Sequence, residues 1–105
     1  MKGYNGVAWY RFTFDVPKDF KDENLELVLG RINNCDECYL NGTKIGASGK
    51  FPPDWEDASR VDRVYKVPKG LLKPGQQNVL AVRVFGNIGS GAIYERPRLI
   101  SRISD

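Results

Sequence analysis

The sequence predicts an all-β fold, a sandwich or jelly roll of about seven short strands. Apolar and polar residues alternate with a period of two along most of the chain, which is the pattern of half-buried strands. Gly, Pro, Asn and Asp separate these stretches at short intervals, and no stretch shows a convincing helical period. A chain of 105 residues can bury a single modest core, so we expect one domain over residues 1–105.

The first predicted strand covers 7–16. Its alternation places Tyr10 and Phe12 on one side and Trp9 on the other, and Pro17 ends it because proline cannot donate to a strand ladder. The remaining predicted strands cover 25–30, 35–40, 43–47, 61–67, 78–85 and 92–100.

Local signals refine this order. Asn41-Gly42 is a strong hairpin signal, because both central positions of a type I′ turn need a positive φ. The nearly continuous apolar character of 78–85 indicates a central strand. Pro97 indicates that the last strand lies at an edge or carries a bulge.

Composition argues against several classes of partner. The net charge is +3, and Lys and Arg are interleaved with Asp and Glu rather than clustered, so we expect no nucleic acid. No apolar run approaches the roughly 20 residues of a membrane helix, so we expect no membrane partner. The N-terminus has no apolar segment of signal-peptide length. The chain is therefore either cytoplasmic or trimmed from something longer, and its compartment stays open.

The absence of histidine removes the usual general base, the usual metal ligand and any Ser-His or Cys-His nucleophile pair. Cys35 and Cys38 would need two further ligands to hold zinc, and the chain has no other Cys and no His. Three residues of extended strand span about 10 Å, whereas disulfide-linked Cα atoms lie roughly 4.4–6.8 Å apart. We interpret both as small apolar residues of a strand, and we expect no metal and no cofactor.

Three stretches together resemble a known family. Residues 6–17 follow the pattern G-x-x-W-Y-R-x-x-F-x-V-P, residues 38–46 are similar to V-x-L-N-G-x-x-V-G, and residues 72–84 match L-x-P-G followed by N-x-L-A-V-R-V. These patterns resemble the sugar-binding domain of family-two glycoside hydrolases. Related copies occur in sialate O-acetylesterases, and residues 46–59 together with the glycine-rich loop 86–91 look closer to that variety.

The resemblance implies a galactose-binding-like β-sandwich in which catalysis belongs to another domain. We therefore expect a non-catalytic, carbohydrate-associated accessory domain. The alternative is a structural or protein-interaction module that docks a hydrolase or esterase catalytic partner and has no sugar affinity. Family domains also carry a strand ahead of the W-Y-R strand, whereas six residues precede Val7 here. An exposed sheet edge is thus expected, with pairing to a second copy or to a partner domain.

A carbohydrate site needs an aromatic face and planar polar groups, and two loops offer them. Trp55 lies in the segment 46–59 beside acidic residues, and Asn87 and Tyr94 lie around a glycine-rich loop. If these loops fold over the same end of the sandwich, they form a shallow pocket. The predicted ligand-binding residues are Asp54, Trp55, Glu56, Asn87, Tyr94 and Trp9. In the alternative interpretation, Phe51 and Trp55 only pin the long loop to the sheet.

Other candidates point to structural roles. Trp9 is either a stacking platform or a packing residue. Arg83 lies mid-strand, and we expect it to pair with an acidic neighbour such as Glu95 or Asp15. The loop acids give no reason to expect the carboxylate geometry of a glycosidase, and they lack a regular calcium-loop spacing, so no catalytic residue is predicted.

Overall fold

The described residues form two antiparallel sheets in this computed structural model. The structure describes residues 5–21, 24–87 and 92–101, apart from the side chains of Asn5, Asn87 and Ser101. The strands are β1 (Asn5–Asp15), β2 (Leu25–Gly30), β3 (Cys35–Leu40), β4 (Thr43–Ser48), β5 (Arg63–Lys66), β6 (Gln77–Asn87) and β7 (Arg98–Ser101). A four-stranded sheet has the order β1-β6-β3-β4, and a three-stranded sheet has the order β5-β2-β7. The predicted all-β sandwich is confirmed. No helix in the described ranges is long and apolar enough to cross a membrane.

The core consists of the inward side chains of the alternating strands. One buried cluster includes Leu25, Leu27 and Leu29 of β2 and Leu80, Val82 and Val84 of β6. Full burial of such a side chain contributes about 1.5–3 kcal/mol. Strand β6 lies between β1 and β3, which confirms its predicted central position. The outward residues of β6 lie on the other side of the same sheet. Two of them belong to the candidate site, because Arg83 lies over the Phe51 ring and Phe85 lines the pocket described below.

The predicted hairpin between β3 and β4 is confirmed by its backbone. Asn41 has a φ of 49° and Gly42 a φ of 85°. The Asn41 side chain also ties the turn to neighbouring segments, because its amide nitrogen donates to the Leu71 carbonyl at 2.9 Å and to Asn78 Oδ1 at 2.8 Å. The hairpin therefore holds β4 in place as the outer strand of the larger sheet.

Two predicted strands are shorter than the sequence pattern indicates. The prediction of a strand over 92–100 is wrong in its first half, where Ile93 makes only an isolated bridge to Ile32 before β7 starts at Arg98. Pro97 cannot donate to a ladder, which separates the two parts. Strand β5 starts later than predicted because residues 58–61 form a turn closed by a Val61 N–H to Ala58 carbonyl bond of 3.0 Å.

Candidate ligand-binding surface

The long loop between β4 and β5, residues 49–62, is closed by its own backbone hydrogen bonds. Lys50 and Glu56 exchange two backbone hydrogen bonds of 3.0 and 2.9 Å. Between them, the Phe51 ring lies under the Arg83 guanidinium, with 4.3 Å from Cζ to the ring centroid. The Phe51 ring is also 6.4 Å from the Phe85 ring. Phe51 therefore anchors the loop to β6, as the packing interpretation predicts.

Trp55 is presented by this loop and is not inserted as a second anchor. Its side chain is 49% exposed. It lines a pocket of about 260 Å³ together with Asn34, Pro52 and Phe85. An indole face can stack on the apolar face of a ring ligand, and the neighbouring amide can donate hydrogen bonds to its polar groups and accept hydrogen bonds from them. The pocket is near the small end of ligand sites, which span about 300–1,000 Å³.

Asn34 owes its position in the pocket to hydrogen bonds on several sides. Its backbone N–H donates to the Phe85 carbonyl at 2.9 Å, and its own carbonyl accepts from the Ala58 N–H at 3.0 Å. The Ser59 hydroxyl lies 2.8 Å from Asn34 Oδ1 and forms a short contact with Asp57. Hydrogen bonding from Ser59 lowers the pKa of the Asp57 carboxyl. Asp57 is therefore engaged in holding the loop.

The other predicted site residues lie elsewhere. Asp54, Glu56 and Tyr94 are exposed, Glu56 is 4.0 Å from Lys50 Nζ, and none of the three lines the Trp55 pocket. Trp9 is 56% exposed on the outer face of the four-stranded sheet, 5.7 Å from the Tyr39 ring. The side chain of Asn87 lies outside the described residues. The structure thus places Trp55 in a pocket with Asn34, Pro52 and Phe85, which sequence reasoning did not predict.

A buried ion pair underlies the loop, and sequence reasoning missed it. Arg63 Nε donates to Asp36 Oδ1 at 2.7 Å, and both side chains are 0% exposed. Tyr65 donates its hydroxyl to Asp36 Oδ2 at 2.8 Å. Arg63 also donates to the carbonyls of Asn34, Ala58 and Val61. This single side chain therefore fixes the turn 58–61 and the backbone of the pocket residue Asn34.

The pattern of alternation contained a signal for this pair. Asp36 shares its face of β3 with Cys38 and Leu40, and Arg63 shares its face of β5 with Tyr65. Both charges therefore fall on the inward side, where an unpaired charge is very costly. Burial raises the pKa of the Asp36 carboxyl, and the Arg63 and Tyr65 hydrogen bonds oppose this effect.

A second ion-pair cluster lies on the outer face of the same sheet. Glu37 accepts from Arg83 at 3.0 Å and from Lys44 at 3.3 Å, and the Tyr39 hydroxyl lies 3.3 Å away. Although partial burial opposes it, hydrogen bonding from Arg83 and Lys44 lowers the pKa of the Glu37 carboxyl.

The partner of Arg83 corrects a prediction. Arg83 pairs with Glu37 of β3, and neither Glu95 nor Asp15 forms this bond. The reason is register, because Glu37 lies directly beside Arg83 in the β3–β6 pair. Asp15 instead opposes Gln77 at the far end of β6.

Cys35 and Cys38 are free thiols, and both are buried, as expected of small apolar residues in a strand. Burial raises the pKa of the Cys38 thiol to about 12 and also raises that of Cys35. Thiolate chemistry is therefore suppressed at both positions. Among the described residues, no group of three or more His, Cys, Asp or Glu side chains could hold a metal ion.

Comparison with known proteins gives a consistent set of relatives. The family described as the β-galactosidase second all-beta domain matches residues 2–86. A β-glucuronidase of Formosa agariphila is 28% identical over 87 residues, which are 82% of this chain and 8% of that protein. The apo structure of a β-glucuronidase from Ruminococcus gnavus superposes with a TM-score of 0.65 at 23% identity, covering 80% of this chain and 13% of that one. The complex of that enzyme with uronic isofagomine gives a TM-score of 0.62. The chain thus spans only about a tenth of the length of these relatives.

Proposed function

Because this chain belongs to the family of the β-galactosidase second all-beta domain, we propose that it is a non-catalytic accessory domain of a family-two glycoside hydrolase that binds carbohydrate weakly at the Trp55 pocket. The half-exposed indole of Trp55 carries this proposal. Exposure of a large apolar indole to water is unfavourable. The Trp55 indole nevertheless lines a pocket at the surface instead of packing into the core. The pocket suits a single sugar ring, with the apolar ring face on the indole and hydroxyls toward the Asn34 amide.

Three carboxylates around the long loop have structural partners, which supports a non-catalytic role. A glycosidase needs two carboxyl groups roughly 5–9.5 Å apart across a sugar cleft. Asp36 is enclosed with Arg63, Glu37 is bound by Arg83 and Lys44, and Asp57 is engaged by Ser59. These three acids have structural partners, and none faces another carboxylate across the Trp55 pocket.

A docking module without sugar affinity is the second candidate. The outer face of the four-stranded sheet favours it, because Trp9 and Val7 are about half exposed there and Tyr39 and Arg83 lie beside them. Aromatic residues and Arg are enriched at protein interfaces. In this alternative, the sheet face packs against a catalytic domain and the Trp55 pocket stays empty.

The two tryptophans of the chain allow one experiment to separate these functions. Trp9→Phe leaves Trp55 as the only indole fluorophore, and Trp55→Phe leaves Trp9. Each variant is titrated with galactosides, glucosides and sialosides. We expect a saturable fluorescence change in the Trp9→Phe protein at millimolar sugar, and no change in the Trp55→Phe protein.

The reverse pattern would move binding to the sheet face and contradict the pocket. If neither variant responds to any sugar in the panel, the carbohydrate proposal is wrong and docking is favoured. Trp55→Ala provides the calorimetric control, because it removes the stacking face while Phe51 still anchors the loop.

A further inference from the structure

Strand β1 is a long and regular sheet edge. Its 11 residues pair with β6 in unbroken register from Asn5↔Asn87 to Asp15↔Gln77. Within the described ranges, no strand pairs with its other side. The opposite edge strand, β4, has six residues and a register shift at its pairing with β3. Short strands and bulges protect sheet edges from pairing with other chains, and β1 has neither.

Two exposed charges on β1 have no opposite charge beside them in the sheet. Arg11 faces Ala81 across the β1–β6 pair, and Asp15 faces Gln77. The ion pairs found among the described residues include neither of them. Four residues of strand span about 13 Å, so Arg11 and Asp15 cannot pair with each other within one chain. An antiparallel copy of the same strand can bring them together.

We propose that β1 pairs antiparallel with β1 of a second copy of this chain, with Thr13 on the two-fold axis. Directly opposed residues of antiparallel strands share a face. A two-fold axis normal to the sheet must therefore pass midway between one residue and the same residue of the second copy, and we call this residue the one on the axis. With Thr13 on the axis, Arg11 of each copy lies opposite Asp15 of the other, which gives two symmetric ion pairs. An axis on Arg11 would oppose two guanidinium groups, and an axis on Phe12 would place Arg11 opposite Thr13.

The inner side of the edge is complementary in the same register. Phe12 of each copy lies opposite Phe14 of the other. Both rings line an apolar groove of about 280 Å³ that also reaches Leu27 and Leu99. Cross-strand aromatic pairs stabilise a sheet, and an isologous interface requires this kind of self-complementarity. The second copy would therefore join the two four-stranded sheets and flank the groove. This inference does not depend on the proposed sugar site.

The charge register can be tested by reversal and rescue. The dissociation constant of the dimer is measured by sedimentation equilibrium for the wild type, Arg11→Glu, Asp15→Arg and the double variant. Each single reversal replaces two attractions with two repulsions, so we expect a weakening of about tenfold or more. The double variant should recover to within a few-fold of the wild type. An equimolar mixture of the two single variants should form a heterodimer.

Arg60→Glu is the matched control, because Arg60 is exposed on the turn 58–61 and is not among the residues that line the groove. It should leave the dissociation constant unchanged. A monomer at millimolar concentration would overturn the proposal. So would a dimer that is insensitive to reversal at Arg11 and Asp15.

A cross-link tests the axis independently of charge. Thr13 is exposed, and a residue on the axis lies opposite its own copy at about 4.5–5.5 Å between Cβ atoms. Thr13→Cys should form an intermolecular disulfide on mild oxidation, whereas Val64→Cys on the exposed side of β5 should not. Equal cross-linking at both positions would contradict the register. Protection from hydrogen exchange, in a monomer, of the β1 amides that point away from β6 would show that another segment covers the edge, and would also overturn the proposal.

Discussion

Two consecutive residues of β3 each form an ion pair with an arginine, on opposite faces of one sheet. Asp36 pairs with Arg63 in the interior, where both side chains are 0% exposed, and Glu37 pairs with Arg83 on the outer face, where they are 22% and 33% exposed. The two N···O distances are similar, at 2.7 and 3.0 Å. Both pairs join a carboxylate to a guanidinium group, but they differ in solvent exposure. Solvent exposure determines how much stability is lost when one partner is removed.

The partners also differ in what they connect. Arg63 donates to backbone carbonyls in two different segments, so it ties β3 to the turn 58–61. Arg83 holds Glu37 on one side and the Phe51 ring on the other, so it ties the tip of the loop to the sheet. The buried pair therefore fixes the backbone next to the pocket, and the outer pair fixes the Phe51 end of the loop on the sheet.

The same substitution on the two faces should give the largest contrast. Arg63→Met removes the charge partner of the buried Asp36 carboxylate and one donor from each of three backbone carbonyls, so we expect the free energy of unfolding to fall by about 3–5 kcal/mol. Arg83→Met loses the partly exposed pair with Glu37 and the guanidinium contact with the Phe51 ring, and should cost about 1–2 kcal/mol. Urea denaturation of both variants measures the difference. Similar losses for the two would show that burial does not separate the pairs.

Tyrosine hydroxyls at the two carboxylates should give a smaller contrast. Tyr65→Phe removes the hydrogen bond to Asp36 and the 2.8 Å contact with the Ser48 hydroxyl. We expect it to cost about 1–3 kcal/mol because a buried acceptor loses its donor. Tyr39→Phe removes only the 3.3 Å contact with Glu37 on the partly exposed face and should cost less than about 0.5 kcal/mol. A Tyr39 loss as large as that of Tyr65 would contradict this order.

The pH dependence of the outer pair should give the smallest effect. The pKa of Glu37 is lowered in the folded state, so its contribution to stability is present above the unfolded pKa of about 4.3 and is lost as the pH falls through the folded value. Glu37→Gln should therefore lower the free energy of unfolding by about 0.5–1 kcal/mol at pH 7. The difference from wild type should shrink towards zero below the folded pKa. A difference that is constant between pH 7 and pH 2.5 would show that the charge of Glu37 contributes nothing.

The raised pKa of Asp36 acts with the opposite sign. The folded state holds this proton more tightly than the unfolded state does, so the contribution of Asp36 falls as the pH rises through the range between the two pKa values. The two neighbouring carboxylates therefore partly cancel in the acid range of the wild type. The Glu37→Gln variant should remove the Glu37 contribution, so that the raised pKa of Asp36 and the lowered pKa of Asp57 remain.

Strand content and hairpin position were predictable because they depend on neighbouring residues. The alternation in 7–16 and the turn at Asn41-Gly42 need only local backbone preferences, and both agree with β1, β3 and β4. The strand predicted over 92–100 was wrong in its first half, because alternation alone does not say whether a partner strand is within reach.

The candidate site was less predictable. Trp55 was identified from its residue type and its loop, and nothing in the local pattern indicated that Asn34 and Phe85 would meet it. These residues lie on three segments far apart in the chain. Only the register of β3 on β6 and the closure of the loop at Lys50 and Glu56 bring them together.

By itself the sequence determined which faces of each strand are apolar, where the chain turns, and that Asp36 and Arg63 fall on inward faces. Each of these features follows from a period of two or from a backbone conformation that few residues adopt. The tertiary structure decided the partners: Glu37 for Arg83, Arg63 for Asp36, and Phe85 for Phe51. Long-range register chooses them, because a shift of one residue between two strands would exchange the inner and outer faces and break every one of these contacts.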